Sequence, residues 1–128
     1  MNKEMVYKNS LHAPELLAAG AYKHFLYAVT SMGSHPCAYV QIPESHPLYM
    51  AETDVIETSV VCHGGITYTG DRAVGLNDQI PDGFWIGWDY AHYDDYLGFA
   101  IGFSGRRWTT EEIEAERKAV IDQLDACL

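Results

Sequence analysis

Four titratable side chains, in two short segments of the chain, have the types and the spacing that a chemical centre requires. They are His63, Asp89, His92 and Asp95. In both segments a run of β-forming residues, 59–61 or 84–86, ends abruptly in small and polar residues. Rigid strands often carry functional residues to the end of a sheet, where loops present them. We therefore expect the four side chains to converge in one site.

Two imidazoles and two carboxylates permit two kinds of chemistry. All four residues are candidate ligands for zinc or another divalent first-row metal ion. All four are also candidate catalytic residues for general acid–base work, in which Asp89 or Asp95 would orient His92. The spacing matches no established metal motif, because the chain has neither an HExxH sequence nor paired CxxC sequences. A structural role stays open as well, with Asp89 capping a turn and accepting backbone amides.

The glycine pair after His63 indicates a backbone that another group approaches closely. Gly64 and Gly65 permit positive φ angles. In one interpretation His63 is presented beside exposed amides, where it binds an anion or acts as an acid or base. In the other, the segment is a β-bulge and His63 bonds to a backbone carbonyl.

Aromatic residues flank the polar set and could contact a planar ligand. Alternation along a strand sends Trp85 and Trp88 to opposite faces of the sheet, so we expect one in the core and the other exposed. An exposed ring there would stack on a base or another planar group, whereas the alternative is a bulky core. The residues expected to bind a ligand are His63, Gly64, Gly65, Thr67, Trp88, Asp89, His92 and Asp95.

The composition predicts one acidic globular domain. The 128 residues are 48% hydrophobic and 20% charged, which is normal for a folded domain with a real core. We predict a single domain over 1–128, with 1–12 as a flexible lead-in. The net charge of −10 argues against direct binding to a nucleic-acid backbone, and it leaves a basic protein partner open.

The cysteines and the apolar runs predict a cytoplasmic protein without a membrane partner. Cys37, Cys62 and Cys127 are odd in number and lack the spacing of a disulfide framework. The chain begins without a signal-peptide pattern, and no apolar run approaches a membrane span. Cys62 would point away from His63 on a strand, so we expect no nucleophile–base pair there.

The residue patterns predict an α+β fold with a single antiparallel sheet of about four to six strands. The β-forming runs 25–30 and 37–42 flank a short glycine-containing connection, which is typical of an antiparallel hairpin. Residues 13–19 predict a short N-terminal helix, with Pro14 in its first turn and Gly20 as its stop. A C-terminal amphipathic helix is expected to pack on the sheet.

The middle of the chain predicts two further strands and a loop. Residues 50–57 look solvent-facing, and 58–62 form a short buried strand that 66–68 resume. Residues 69–83 are rich in Gly, Asn, Asp and Pro and predict a long loop, of a length that is often functional. The aromatic run 84–90 predicts a central strand.

The C-terminal third predicts one ambiguous strand and one helix. Residues 99–103 could form a further strand, although a glycine weakens that interpretation. The helix spans 108–128 and begins with the capping box of Thr109 and Glu112. Glu114 can pair with Arg117 or Lys118 on its polar face. Its apolar face consists of Ile113, Val120, Ile121, Leu124 and Leu128.

Three motifs in order resemble a family of small uncharacterised proteins of bacteria, phages and prophages. They are Tyr-Val-Gln-Ile-Pro at 39–43 followed by His-Pro-Leu-Tyr at 46–49, Cys-His-Gly-Gly-Ile-Thr-Tyr at 62–68, and Trp-Ile-Gly-Trp-Asp-Tyr-Ala-His at 85–92. The similarity covers roughly 37–124 and includes all four titratable candidates. Departures from the family pattern are Ala38, Gln41, Trp88 and the pair Tyr93-Asp94.

The resemblance implies a phage or prophage accessory role in the host cytoplasm, without an activity that carries over. Proteins of that kind often act against host defences, by blocking a protein or by capturing or degrading a nucleotide signal.

From the residues and the resemblance together, we expect a binding protein whose His/Asp/aromatic pocket recognises a small polar, nucleotide-like ligand or a host protein. One alternative is a hydrolase that uses the same four residues, with or without a divalent metal. Another is an acidic protein–protein inhibitor without pocket chemistry.

Overall fold

One antiparallel sheet organises the chain. In the computed structural model, which describes residues 2–73, 79–92, 94–98 and 105–128, the strands follow the order β1-β2-β3-β5-β4 across this sheet. The elements in chain order are β1 (Glu15–Tyr22), β2 (Phe25–Ser31), β3 (Pro36–Ile42), α1 (Thr53–Ser59), β4 (Tyr68–Gly70), β5 (Phe84–Asp89) and α2 (Thr110–Ala126). The predicted α+β fold, with one antiparallel sheet and a C-terminal helix packed on it, is confirmed.

The predicted helix over 13–19 is wrong, because most of these residues belong to strand β1. Strand β1 pairs with β2 through a two-residue turn of Lys23 and His24. Both turn residues have positive φ angles, 49° and 71°, as in the hairpin turns that match the natural twist of two strands. Pairing with β2 and burial of Leu17 outweigh the helix propensity of this Leu- and Ala-rich segment.

The predicted hairpin and the predicted central strand are both confirmed. Strands β2 and β3 pair antiparallel, and β5 lies between β3 and β4. Alternation along the strands gives the sheet two apolar faces. The face covered by α2 includes Val29, Val40, Ile86 and Trp88, which form one cluster with Ile121 of the helix. The opposite face includes Ala28, Cys37, Tyr39 and Trp85, which form a second cluster with Ala73 of the segment after β4.

The predicted strand over 58–62 is wrong, because helix α1 occupies its beginning. Ile56 and Val60 lie one helical turn apart and are both buried, and the Val60 N–H donates to the Ile56 carbonyl. Val61 is 80% exposed. Burial here follows the helical period of about four residues instead of the two-residue period of a strand. The run of β-branched residues in the sequence concealed that period.

Other predicted segments are only partly described. The acidic residues of 50–57 are exposed as expected, although the segment contains most of α1. Strand β4 begins at Tyr68, so the predicted loop over 69–83 starts after β4 ends at Gly70, and its residues 74–78 lie outside the described residues. The ambiguous strand over 99–103 also lies outside them.

Helix α2 begins at the predicted capping box. Thr109 Oγ1 accepts the Glu112 N–H at 3.2 Å, and Glu112 Oε1 accepts the Thr109 N–H at 3.0 Å. Glu114 pairs with Arg117 at 2.8 Å, as predicted, while Leu128 is exposed and not on the apolar face. The buried apolar residues of the helix are Ile113, Val120, Ile121 and Leu124.

Backbone hydrogen bonds attach the N-terminal segment to β1 and to the connection between β2 and β3. The amide of Lys3 donates to the Leu17 carbonyl at 2.7 Å, and the amide of Lys8 donates to the Gly33 carbonyl at 2.8 Å. Neither helix within the described ranges has the length and apolarity that crossing a bilayer requires.

His46, which follows β3, is a buried structural residue. Its Nδ1 accepts the Leu48 N–H at 3.0 Å, so the proton is on Nε2, which lies 2.7 Å from the Leu124 carbonyl oxygen in α2. The ring also meets Phe25 edge-on at 5.7 Å. His46 therefore joins the turn after β3 to the end of α2.

We expect His46→Leu to lower the free energy of unfolding by about 1–3 kcal/mol, because the buried amide of Leu48 loses its acceptor. Urea denaturation followed by tryptophan fluorescence measures this change. The matched control is His24→Asn, since His24 is exposed and Asn tolerates its positive φ. A control effect as large as that of His46→Leu would contradict the assignment.

Candidate functional site

Three of the four predicted site residues meet at one end of β5. His63 lies in the turn between α1 and β4, while His92 and Asp95 follow the last residue of β5, Asp89. His63, His92 and Asp95 each offer one potential metal-ligand atom, and these atoms lie within 4.8 Å of one another. Asp89 joins the group through His92, whose Nε2 lies 3.2 Å from Asp89 Oδ1.

The carboxylate of Asp95 is the buried centre of this group, with a side chain only 1% exposed. Trp108 Nε1 donates to Oδ1 at 2.9 Å, and the His92 backbone N–H donates to Oδ2 at 2.9 Å. His63 Nε2 lies 2.9 Å from Oδ1 and 2.7 Å from Oδ2. Burial raises the pKa of Asp95, but these hydrogen bonds outweigh burial and hold the pKa below its usual value. Asp95 is therefore an ionised acceptor, and the proton between it and His63 is on Nε2.

The His63 ring is fixed by packing as well as by Asp95. It stacks on the Tyr90 ring at 4.8 Å with 9° between the planes, and it meets the Trp108 ring edge-on at 4.9 Å. The His63 backbone N–H donates to Glu116 Oε2 at 3.0 Å. The side chain is still 23% exposed. In the neutral ring with its proton on Nε2, Nδ1 has the lone pair, and His63 is an oriented imidazole that solvent reaches.

A second layer of hydrogen bonds supports the stacked ring. The buried Trp88 donates from Nε1 to the Tyr90 hydroxyl at 3.1 Å, and that hydroxyl donates to Glu116. Burial, and then the hydrogen bond to Glu116, raises the pKa of Tyr90 well above its usual value, so the phenol stays protonated.

Trp85 and Trp88 lie on opposite faces as predicted, but both are buried. The expectation that one of them is exposed for stacking is wrong, because each face of the sheet has its own apolar cluster.

His92 is held by Asp89 and lies against Gly64. His92 Nε2 lies 3.1 Å from the Asp89 carbonyl oxygen, so Nε2 carries the proton. The ring meets His63 edge-on at 5.3 Å, and the side chain is 35% exposed. Gly64 has a φ of +69°, and a methyl group added there would overlap His92 Nε2. Gly64 is therefore required by its backbone conformation and by its contact with His92.

The second glycine of the pair contacts a different neighbour. Gly65 has a φ of +82°, and a methyl group there would lie 2.6 Å from Oε1 of the exposed Glu57. Residues 60–67 form no strand, so the β-bulge interpretation is wrong. The glycines shape a turn that brings His63 and His92 together.

Thr67 lies on the other side of Asp89. Its hydroxyl donates to Asp89 Oδ2 over a long 3.4 Å. Beside this contact is a cavity of about 210 Å³ lined by Cys37, Tyr39, Thr67, Tyr68, Trp88 and Asp89. Asp89 thus lines this cavity and also contacts His92.

The surroundings of Cys62 keep its thiol protonated. Burial, followed by repulsion from Glu116 and Glu57, raises the pKa of its thiol to about 12. A thiol with that pKa is protonated at neutral pH and reacts poorly.

The start of α2 contributes site residues that sequence reasoning missed. Trp108 and Glu116 contact Asp95, His63 and Tyr90, and Arg106 lies over the Trp108 ring at 3.8 Å. Trp108 directly precedes the capping box of α2. That capping box was the only local sign in the sequence that the position of Trp108 is fixed. Nothing in the spacing of the two histidine segments indicated that this part of the chain would close the site.

We expect Asp95→Asn to lower the free energy of unfolding by about 1–3 kcal/mol, because an amide NH₂ would face donors that a carboxylate satisfies. Urea denaturation measures the change. Asp94→Asn is the matched control, since Asp94 is the exposed neighbour and its substitution should have little effect. Equal effects of the two substitutions would contradict the central position of Asp95.

Comparisons of this chain with protein-family models, with curated proteins and with solved structures found no match. The proposed function therefore rests on the geometry of the site.

Proposed function

We propose that the protein binds a small polar ligand at the cluster of His63, Asp89, His92 and Asp95. The observation that carries the proposal is a buried carboxylate, Asp95, that orients an imidazole, His63, which is still 23% exposed. Burying a carboxylate is costly unless strong hydrogen bonds compensate for lost hydration. Partly exposed polar groups fixed in this way give a binding site its specificity.

The cavity beside Asp89 has room for only part of a ligand. The adjacent cavity of about 210 Å³ is smaller than the roughly 300–1,000 Å³ typical of sites for drug-sized molecules. The cavity would therefore hold one small group of a ligand, and not a whole nucleotide. Trp88 is buried, so we base the proposal on the polar groups and not on base stacking.

We also propose that the protein acts in the cytoplasm. Cys37, Cys62 and Cys127 are all free thiols, which suits a reducing compartment. The family resemblance would make this the cytoplasm of a host cell.

Mass spectrometry of the purified protein, native and then denatured, tests the binding proposal. We expect a small polar molecule or ion to be released from the wild-type protein and from His24→Asn, but not from His92→Ala. His92 is the better residue to change, because truncating His63 would leave Asp95 buried without its main donor. The His92 side chain is 35% exposed, so its removal should leave the fold intact.

Two results would count against the binding proposal. One is a released species that His92→Ala retains in full. The other is an empty wild-type protein whose melting temperature does not change with a panel of polar metabolites that includes nucleotides. An empty protein that captures a host protein, in a manner that charge reversals on its acidic surface abolish, would support the inhibitor alternative.

Hydrolysis is a second candidate function, favoured by the 2.7 Å contact between His63 and Asp95. A carboxylate that holds an imidazole in one tautomer leaves Nδ1 able to accept a proton from water. His92 lies beside this ring and could supply a proton to a leaving group.

If the protein is a hydrolase, we expect His92→Ala to lower turnover of its substrate by roughly 10²–10⁴-fold, the usual contribution of a general acid or base. A panel of phosphodiesters and carboxylic esters provides the assay, and His24→Asn is the control. Ligand binding without turnover of any of these substrates would leave the binding proposal as the better one.

A further inference from the structure

We infer that His63, His92 and Asp95 form an open three-ligand site for a divalent first-row transition metal ion, which takes the place of the proton between His63 Nε2 and Asp95 while the neutral His63 ring carries its proton on Nδ1 instead. The inference rests on the proposed function, since it names the chemistry of what the cluster binds. Two imidazoles and one carboxylate are a donor set that such ions accept while keeping a position for water or substrate.

The distances suit a site that is nearly assembled. His63 Nε2 lies 2.7 Å and 2.9 Å from the two Asp95 oxygens. The ligands of a tetrahedral ion with bonds of about 2.1 Å lie about 3.4 Å apart. One potential ligand atom of each residue, either ring nitrogen in the case of a histidine, lies within 4.8 Å of the other two, so shifts on the order of 1 Å bring the three close to that spacing. His92 is the most exposed of the three side chains and has the room to move.

Outer hydrogen bonds already orient two of the ligands. The Asp95 oxygens accept from Trp108 Nε1 and from the His92 backbone N–H, which would keep the carboxylate in place beside an ion. His92 donates from Nε2 to the Asp89 carbonyl, which leaves the Nδ1 lone pair for coordination. Partners of this kind, on the side of the ligand away from the metal, are a regular feature of metal sites.

The charge around the cluster favours a cation over an anion. Asp89 and Asp95 contact the imidazoles directly, and Glu116 accepts from the His63 backbone amide. The chain carries a net charge of −10. A bound anion would be repelled by these carboxylates, whereas a divalent cation would be attracted.

The glycine pair offers a matched test. Gly64→Ala and Gly65→Ala impose similar backbone strain, since both positions have positive φ, but only the first displaces His92. Isothermal titration of the chelator-treated full chain with Zn²⁺ or Co²⁺ measures the affinity, and urea denaturation shows that each variant is folded. Cys62→Ala tests whether the ion is bound by the imidazoles or by the neighbouring thiol, because it removes only the thiol.

We expect one ion per wild-type chain, with unchanged binding in Cys62→Ala and nearly unchanged binding in Gly65→Ala. Gly64→Ala and His92→Ala should bind at least 10-fold more weakly, and Trp108→Phe roughly 10- to 100-fold more weakly because it removes an outer donor. Equal binding by all folded variants, or binding lost with Cys62, would overturn the inference. If no ion binds while His92→Ala still abolishes retention of a small molecule, the metal inference fails and the proposed function stands. If neither ion binding nor retention of a small molecule depends on His92, the metal inference and the proposed function both fail.

Discussion

The buried carboxylate of Asp95 is the constraint on which this end of the molecule depends. A carboxylate removed from water must recover several kcal/mol of lost hydration through hydrogen bonds. Asp95 obtains them from the His63 ring, the His92 backbone and the Trp108 indole. These donors come from three separate segments of the chain. The turn after α1, the loop after β5 and the start of α2 must therefore all be in place before Asp95 can be buried.

The fold meets this requirement by linking the loops to its most rigid elements. Strand β5 lies between β3 and β4, so the loop that carries His92 begins at a fixed point. Trp88 in that strand donates to Tyr90, which supports the His63 ring and donates to Glu116 in α2. The hydrogen-bonded chain runs from sheet to helix beneath the imidazole. A displacement of α2 would consequently disturb His63 even though the two are distant in sequence.

Sequence reasoning predicted the parts of the structure that depend on local patterns. The central strand, the hairpin of β2 and β3, and the capping box of α2 each have a signal within a few residues. Strand β1 was missed because its Leu and Ala residues favour a helix and because its turn, Lys23-His24, lacks the usual Asn-Gly signal. Pairing with β2 outweighs the helix propensity of these residues. That pairing is a contact between separate elements, which the local sequence does not show.

The site shows the same division between local and tertiary information. Two segments ending in polar residues were enough to predict that histidines and aspartates would meet, and three of the four do. Glu116 and Trp108 were missed because they reach the site from α2 and from the segment just before it, with no spacing to relate them to His63. The exposed tryptophan was a wrong prediction, since alternation assigns a face to a side chain but does not say whether another layer covers that face.

Two histidines of this chain differ in how much of their hydrogen-bonding capacity the fold uses. His46 is almost completely buried, and its two ring nitrogens are matched by a backbone amide and a backbone carbonyl. Its hydrogen-bonding capacity is used up, so it can only hold the fold together. His63 is bound through Nε2 to a carboxylate, and within the described part of the chain no hydrogen bond reaches its Nδ1. Asp95 therefore orients His63 without exhausting its capacity to bind, and it is this remaining capacity that a ligand or a water molecule would use.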